Sequence, residues 1–305
     1  MQYSLYNGID MSKINVLGAA CVDLLVQGVD KEKVFSGSYK ADRIFSMYGG
    51  DALNESIVLK HFGCDVRLIS ILGNDSNGRW IKDKLDNEGI AYNPDILRDD
   101  TFTYLSIVLI DDKGERYFIG TRDGNIKSLK TEDIQVDPDC RIACLASLFI
   151  SPFLDNASLE KLFRELKERG ITTCCDCSTP KETRDIGRFS FLQYVDYFFC
   201  NHQEAEMLSK TGNIEDTAEE IKAMGAGHVI IKCGAKGCYY EGKYYAPEEE
   251  CRVIDTTGAG DSFVAGFIKG LSQNRNIEEC IRIANRFGGK ACGYTGATTW
   301  LEKEQ

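Results

Sequence analysis

Apolar residues along this chain fall in short runs separated by stretches of helical period. Runs at 14–17, 66–71, 141–150, 171–175, 197–200 and 228–232 are continuous enough for strands buried on both faces and too short for ordinary helices. Between them, 51–62, 76–88, 155–169, 204–209 and 216–224 read as helices, and two more, 259–271 and 277–289, follow the last strand. This alternation predicts an α/β fold with a mostly parallel central sheet flanked by helices. Two stretches break the rule. Residues 34–48 and 103–119 carry β-rich patterns with no intervening helix, and the second holds Asp111-Asp112-Lys113-Gly114, a hairpin-turn composition. They predict a small β-sheet standing off the main body as a lid, or else surface hairpins with no role. No internal repeat, low-complexity tract or linker appears, so residues 1–305 read as a single domain with the lid inserted in it.

Composition narrows the picture. The net charge of −11 repels polyphosphate backbones, and no basic patch offsets it, so a nucleic-acid partner is not expected. No run approaches 18 apolar residues and residues 1–11 lack an apolar segment, so neither a membrane span nor a secretory signal is expected. Thirteen cysteines, an odd number, lie largely within apolar runs, as at Cys140, Cys144, Cys174, Cys175 and Cys177. They read as buried free thiols in a reducing cytoplasm. Cys174 and Cys177 form a C-x-x-C, but it has no second pair and sits inside an expected strand. His61, His202 and His228 are scattered, which argues against a metal cluster. A dinucleotide-binding G-x-G-x-x-G after the first strand and a G-x-x-x-x-G-K-[ST] loop are both missing, which sets aside Rossmann dehydrogenases and P-loop NTPases.

The informative segment is Asp255-Thr256-Thr257-Gly258-Ala259-Gly260-Asp261-Ser262-Phe263. Small residues precede an expected helix, so backbone can approach a ligand closely. Unpaired N–H groups at a helix start point outward with the positive end of the dipole behind them. Gly258, Ala259 and Gly260 would therefore form an anion hole for a transferring phosphate. Asp261, in the first turn, is placed to take a proton from a hydroxyl as phosphate arrives. The bland alternative is a plain turn with Asp261 as a capping residue.

The full string resembles the C-terminal signature of the PfkB/ribokinase family of carbohydrate kinases. Other segments match that family in order. Gly18 and Asp23 resemble its G-x-x-x-x-D, and Gly49-Gly50-Asp51-Ala52-Leu53-Asn54 its G-G-x-x-x-N. Gly73, Asp75 and Gly78 match G-x-D-x-x-G, Thr103 through Gly114-Glu115-Arg116 the segment after it, and Asn201 and Glu204 N-x-x-E. Lys232-Cys233-Gly234-Ala235-Lys236-Gly237, Ala284-Asn285 and Gly296-Ala297 resemble nucleotide-side elements.

The resemblance implies a ribokinase-like fold with a β-sheet lid and ATP as phosphoryl donor to a sugar-like acceptor. It implies substrate contacts from Asp23, Gly49, Gly50, Asn54 and Arg122. The nucleotide would lie against Asn201, Lys232, Gly234, Gly237, Thr256 and Asn285. Mg2+ would be organised indirectly by Glu204, with a monovalent cation such as K+ beside Asp255. A homodimer through the lid is a further expectation. Several residues keep a structural alternative: Asp23 as a strand cap, Asn54 as a polar residue near a helix start, Asn201 and Glu204 as a capping box, Asn285 as a polar helix residue, and Arg122 as a solvated surface group. The chain also departs from the family. Cys177-Ser178-Thr179-Pro180-Lys181 follows Asp176 where an Asn and an Arg are common, leaving Lys181 or Arg184 as substitutes, and Asp51 stands where ribokinases carry Lys. The leading function is phosphoryl transfer to a sugar hydroxyl. Its rivals are a nucleoside kinase and a non-catalytic sugar- or nucleotide-binding regulator.

Overall fold

The computed structural model describes residues 13–112, 115–178, 189–208, 213–249 and 251–304. Two sheets of unequal size organise the described chain, with a two-stranded pair beside them. The large sheet uses β1 (Lys13–Leu17), β4 (Val66–Ile69), β6 (Ala91–Tyr92), β10 (Cys140–Leu148), β11 (Thr172–Cys177), β12 (Tyr197–Asn201), β13 (His228–Lys232), β14 (Cys238–Tyr240) and β15 (Lys243–Tyr245). Their order is β15-β14-β13-β12-β11-β10-β1-β4-β6. All pairings from β13 to β6 are parallel, and β14 and β15 extend the sheet antiparallel at one edge. The small sheet is β3-β2-β8-β9, from β2 (Cys21–Val29), β3 (Arg43–Gly49), β8 (Leu105–Asp111) and β9 (Arg116–Gly120). β5 (Leu72–Gly73) pairs with β7 (Leu97–Arg98).

Alternation within each parallel strand feeds two cores. Ile14, Val16, Cys144, Cys174, Phe199 and Ile230 pack toward α1 (Asp51–His61), α2 (Ser76–Glu88), α6 (Ala259–Ser272) and α7 (Ile277–Cys292). Their neighbours Leu17, Leu145, Cys175, Phe198 and Ile231 pack toward α3 (Asn156–Glu168), α4 (His202–Leu208) and α5 (Ile214–Ala223). Strands covered on both faces read as unbroken apolar runs, which is why the sequence marks them. The α6–α7 contact is close because Gly266 and Gly270 face Ala284 and Cys280: a Cβ on either would stand 2.9 Å or less from the partner helix.

The expected β-rich segments do share the small sheet, but they do not pair with each other. β2, which the hydrophobic pattern left unassigned, lies between β3 and β8 and joins them. Residues 31–42 form turns and bends, so the first expected lid segment contributes a strand only from Arg43 onward. The β8–β9 hairpin forms as expected, while Lys113 and Gly114 of its turn lie outside the described residues. All thirteen cysteines are free thiols; ten are buried, Cys233 and Cys292 are half-buried and Cys251 is exposed. Cys174 and Cys177 are both buried in β11, and no group of three or more potential metal ligands occurs among the described residues. No described helix is long and apolar enough to cross a membrane.

Candidate active site

The chemistry-bearing residues gather at the carboxyl ends of the parallel strands. Ser147 lies near the end of β10, Asp176 near the end of β11, and Asn201 and Lys232 end β12 and β13. Strand ends of a parallel sheet are where the chain turns into loops and helix starts, so polar groups there escape the core while the sheet fixes their spacing. Two helix starts face this rim. α1 begins at Asp51 after Gly50, which has φ 93° and where any Cβ would stand 2.6 Å from the Ala19 carbonyl oxygen, so that only glycine suits the position. α6 begins at Ala259 after Gly258, which has φ 72° and whose Cβ would lie 2.4 Å from that of Ala297.

Asp261, in the first turn of α6, is bound by Asn54 of α1, whose Nδ2 donates to Oδ2 at 2.7 Å across 207 residues of sequence. Burial first, and then the negative charges of Asp51 and Asp23, raise its pKa to about 7. The Asn54 amide and the Lys232 ammonium pull the other way. A carboxyl poised near neutrality and held by a donor that favours its charged form is suited to accept a proton. Asp23 projects from β2 beside Gly49 of β3, where a side chain in place of the Gly49 hydrogen would meet Asp23 Oδ2 at 2.2 Å. Its pKa is raised to about 6 by burial and by Asp51, and Arg116 opposes the rise. Asp23, Gly49, Gly50, Asn54 and Asp261 are thus brought together.

Lys232 is the cationic centre of this acidic rim. Its Nζ donates to both oxygens of Asp176, at 2.7 and 2.9 Å, and both side chains are largely buried. The Cβ position of Gly260 lies 3.4 Å from that Nζ, so the helix start and the ammonium adjoin. Asp51 accepts from the Ser178 hydroxyl at 2.5 Å, and burial raises its pKa against the pull of Ser178 and Lys232. Beneath them Glu55 is fully buried. Burial and the charges of Asp176, Asp261 and Asp51 push its pKa well up.

Asn201 and Glu204 form a reciprocal pair. Glu204 N donates to Asn201 Oδ1 and Asn201 N to Glu204 Oε2, both at 2.8 Å. This is the capping arrangement, and it fixes the start of α4. The pair still lies at the rim, since Glu204 acts electrostatically on Asp176 and Lys232. Asn285 of α7 sits elsewhere: its Nδ2 donates to the Tyr245 carbonyl at 2.8 Å, and it lines a recess with Pro247, Cys251, Arg282, Arg286 and Lys290. Gly234 and Gly237 bracket a short turn between β13 and β14, closed by Cys233 N donating to the Gly237 carbonyl at 2.7 Å. Thr256 is exposed, and its carbonyl accepts from Ala259 N at 3.2 Å. Arg122 is exposed beyond β9, with its carbonyl accepting from Lys127 Nζ. Lys181 and Arg184 lie outside the described residues.

The G-x-D-x-x-G segment has a structural job. Asp75 caps α2 by accepting from Gly78 N at 2.8 Å, and its other oxygen accepts from Thr103 N at 2.7 Å, fastening the chain as it enters β8.

Asp255 has partners the sequence does not disclose. It is 4 % exposed, and it accepts from Thr257 N at 2.7 Å and Gly296 N at 2.9 Å. The guanidinium of Arg116, from β9, donates to Asp255 Oδ1 and to Thr257 Oγ1. Burial alone would raise the Asp255 pKa, but Arg116 and the two N–H groups outweigh it and hold the carboxyl below its ordinary value. A metal cation takes oxygen ligands, whereas this carboxylate is faced by N–H donors and a fixed positive charge. In this arrangement Asp255 does not fit a monovalent cation.

Comparison with known proteins bears on the whole chain. The model of the pfkB family carbohydrate kinases matches residues 11–304. The chain is 27% identical to the 2-dehydro-3-deoxygluconokinase of Haemophilus influenzae, over 94% of this chain and 95% of that protein. It is 29% identical to the fructosamine kinase of Bacillus subtilis, over 82% and 85%. Among solved structures, Arabidopsis thaliana ribokinase complexed with ribose and ATP aligns with a TM-score of 0.77 at 21% identity, covering 95% of each chain. Giardia lamblia ribokinase aligns with a TM-score of 0.81 at 18% identity, covering 95% of this chain and 96% of that one.

Proposed function

The chain belongs to the pfkB family of carbohydrate kinases, and from that premise we propose that it transfers the γ-phosphoryl group of ATP to a hydroxyl of a sugar or sugar-like molecule, with Asp261 as the base. The observation that carries this reading is the pairing of Asp261 with Asn54 beside the Gly258–Gly260 helix start. It would join a proton acceptor to an anion site in one place. The acceptor hydroxyl would lie against Asp261, with its ring hydroxyls toward Asp23 and Asn54. As the hydroxyl oxygen bonds to the γ-phosphorus, its proton passes to Asp261 and the bond from the γ-phosphorus to the bridging oxygen breaks, leaving ADP. The N–H groups of Gly258 and Gly260 would hold the charge that spreads over the transferring group, while that of Ala259, expected to join them, donates instead to the Thr256 carbonyl.

ATP would approach from the β12–β13 side, where Lys232 lies beside Gly260. The base end would then reach toward Asn285 and the recess it lines. The donor set would suit Mg2+ only in a supporting way: Asp176 is paired with Lys232, and Glu204 would act through water on an ion that takes most of its ligands from phosphates and solvent. Bound with ATP, that ion supplies neutralisation of phosphate charge.

An ATP-coupled activity screen tests the reading. Aldoses, ketoses, 2-keto-3-deoxy acids, sugar phosphates and nucleosides serve as acceptors, with Asp261→Asn as the control. Turnover on one acceptor class that Asp261→Asn abolishes supports it. Equal turnover by the variant removes Asp261 as the base, and ADP release that no acceptor stimulates removes the reading.

A further inference from the structure

The anion-binding loop carries a cation of its own. Residues 255–258 are tied on three sides: Asp255 to Gly296 N, Asp255 to Thr257 N, and both Asp255 and Thr257 to Arg116. The first two contacts are local or come from the neighbouring C-terminal loop. The third crosses 139 residues of sequence from the small sheet. The Asp255 side chain is 3 % exposed and the Arg116 side chain 19 % exposed, so the pair is screened from water. An uncompensated carboxylate there would face an incoming phosphate with like charge, and a buried charge without a partner is costly. A positive group must stand beside it, and Arg116 does. A planar guanidinium also makes two directed bonds at once, which a spherical ion does not. With both sides of the carboxylate already occupied by donors, a free cation would have to displace or repel the guanidinium.

We propose that Arg116 takes the place of a monovalent cation at Asp255, so that the loop is held in its anion-binding shape by the chain itself and phosphoryl transfer runs without K+. The proposal rests on the phosphotransfer reading for the role of the loop. Arg116 is a positioning residue here: it touches Asp255 and Thr257, and acts on the phosphate through the loop they define. The same contact ties the small sheet to the start of α6.

The test compares wild type, Arg116→Gln and Arg116→Lys in KCl and in choline chloride at equal ionic strength, reading both turnover and melting temperature. Wild type should turn over equally in the two salts, within about twofold, and melt at the same temperature in both. Arg116→Gln should lose at least about tenfold of its turnover in choline chloride. K+ should restore much of that loss and raise its melting temperature, because Asp255 is then open to the ion. Arg116→Lys should behave more nearly as wild type. Wild-type turnover or melting that depends on K+ would overturn the proposal. So would an Arg116→Gln enzyme that matches wild type in both salts, or one that K+ neither restores nor stabilises. If no acceptor supports turnover, the phosphotransfer reading fails by itself, and the salt dependence of melting still decides whether Arg116 stands in for the ion.

Discussion

The two sheets place functional groups by different means. In the large sheet, Asp176 and Lys232 sit on strand ends whose strands are buried on both faces, with Phe198, Phe199, Ile230 and Ile231 essentially inaccessible. The small sheet is covered on one side only. Phe118 is 69 % exposed and Ile44 63 % exposed, and β9 is accessible along most of its length. Val22, Tyr48 and Leu105 pack the small sheet against the main core, and specific contacts add to this: Arg116 on Asp255 and Thr257, Asp75 on Thr103, and the stacked rings of Tyr48 and Trp80 at 4.1 Å. The first arrangement fixes charges by packing. The second fixes them by one-sided packing and a few specific contacts, so fewer buried contacts hold it.

The largest expected effect belongs at the packed side. Asp261→Asn keeps the shape of the side chain but cannot take a proton, and should reduce kcat by about 10²–10⁴. The same change should stabilise the fold above neutral pH. The folded pKa of about 7 exceeds that of a free carboxyl, so the folded chain binds this proton more tightly than the unfolded chain does. Stability contributed by that proton is present at low pH and is lost as pH rises toward 7. Melting curves at pH 5 and pH 8 should show Asp261→Asn gaining on wild type at the higher pH, and an equal difference at both would contradict the shift.

Next in size is Lys232→Met. It leaves Asp176 buried with no counter-charge, and breaking such a pair costs about 3–5 kcal/mol. Chemical denaturation measures it, and a loss below about 1 kcal/mol would mean that the rim is wetter than its burial indicates.

A smaller change sharpens the role of the second helix start. Asn54→Leu removes the donor that favours ionised Asp261, so the rise of kcat/KM with pH, centred near 7 in the free enzyme, should move to higher pH. A profile that stays in place would show that Asn54 does not act on the charge of Asp261. Smallest of all is Phe118→Ser on the open face of the small sheet, expected to change stability by no more than about 0.5 kcal/mol in denaturant titration. A loss of 2 kcal/mol would place that face in a buried environment in solution.

The same contrast explains what could be read from the sequence. The parallel strands announce themselves because burial on both faces leaves unbroken apolar runs, and 76–88 and 228–232 match α2 and β13 to the residue. β2 escaped because Cys21-Val22-Asp23-Leu24-Leu25-Val26-Gln27 is neither continuous nor cleanly alternating. In the fold Asp23, Leu24, Val26 and Gln27 are all half-buried. The β14–β15 hairpin did carry a signal, Glu241-Gly242 between tyrosine-rich flanks, and both residues take positive φ. The start of α6, with Asp261 in its first turn, was legible because its signal is local in sequence. Asp176 with Lys232, and Arg116 with Asp255, were not, since partners 56 and 139 positions apart are joined only by the way strands stack in space. Asn201 and Glu204 were legible as a pair three residues apart, and the capping geometry is the part of that reading now seen directly.

The thiols turn the contrast into something a reagent can time. Only Cys251 is exposed, so an alkylating agent should modify it at once under native conditions, giving an internal zero. Cys21 lies on β2, while Cys144, Cys174, Cys175 and Cys200 lie inside the large sheet. Buried thiols become reactive only while their surroundings open, and they do so on separate clocks if the regions open separately. Mass spectrometry of the labelled chain would therefore record the lifetime of each sheet in a single time course. A ligand that draws the small sheet down would slow Cys21 while leaving the rate at Cys174 unaltered.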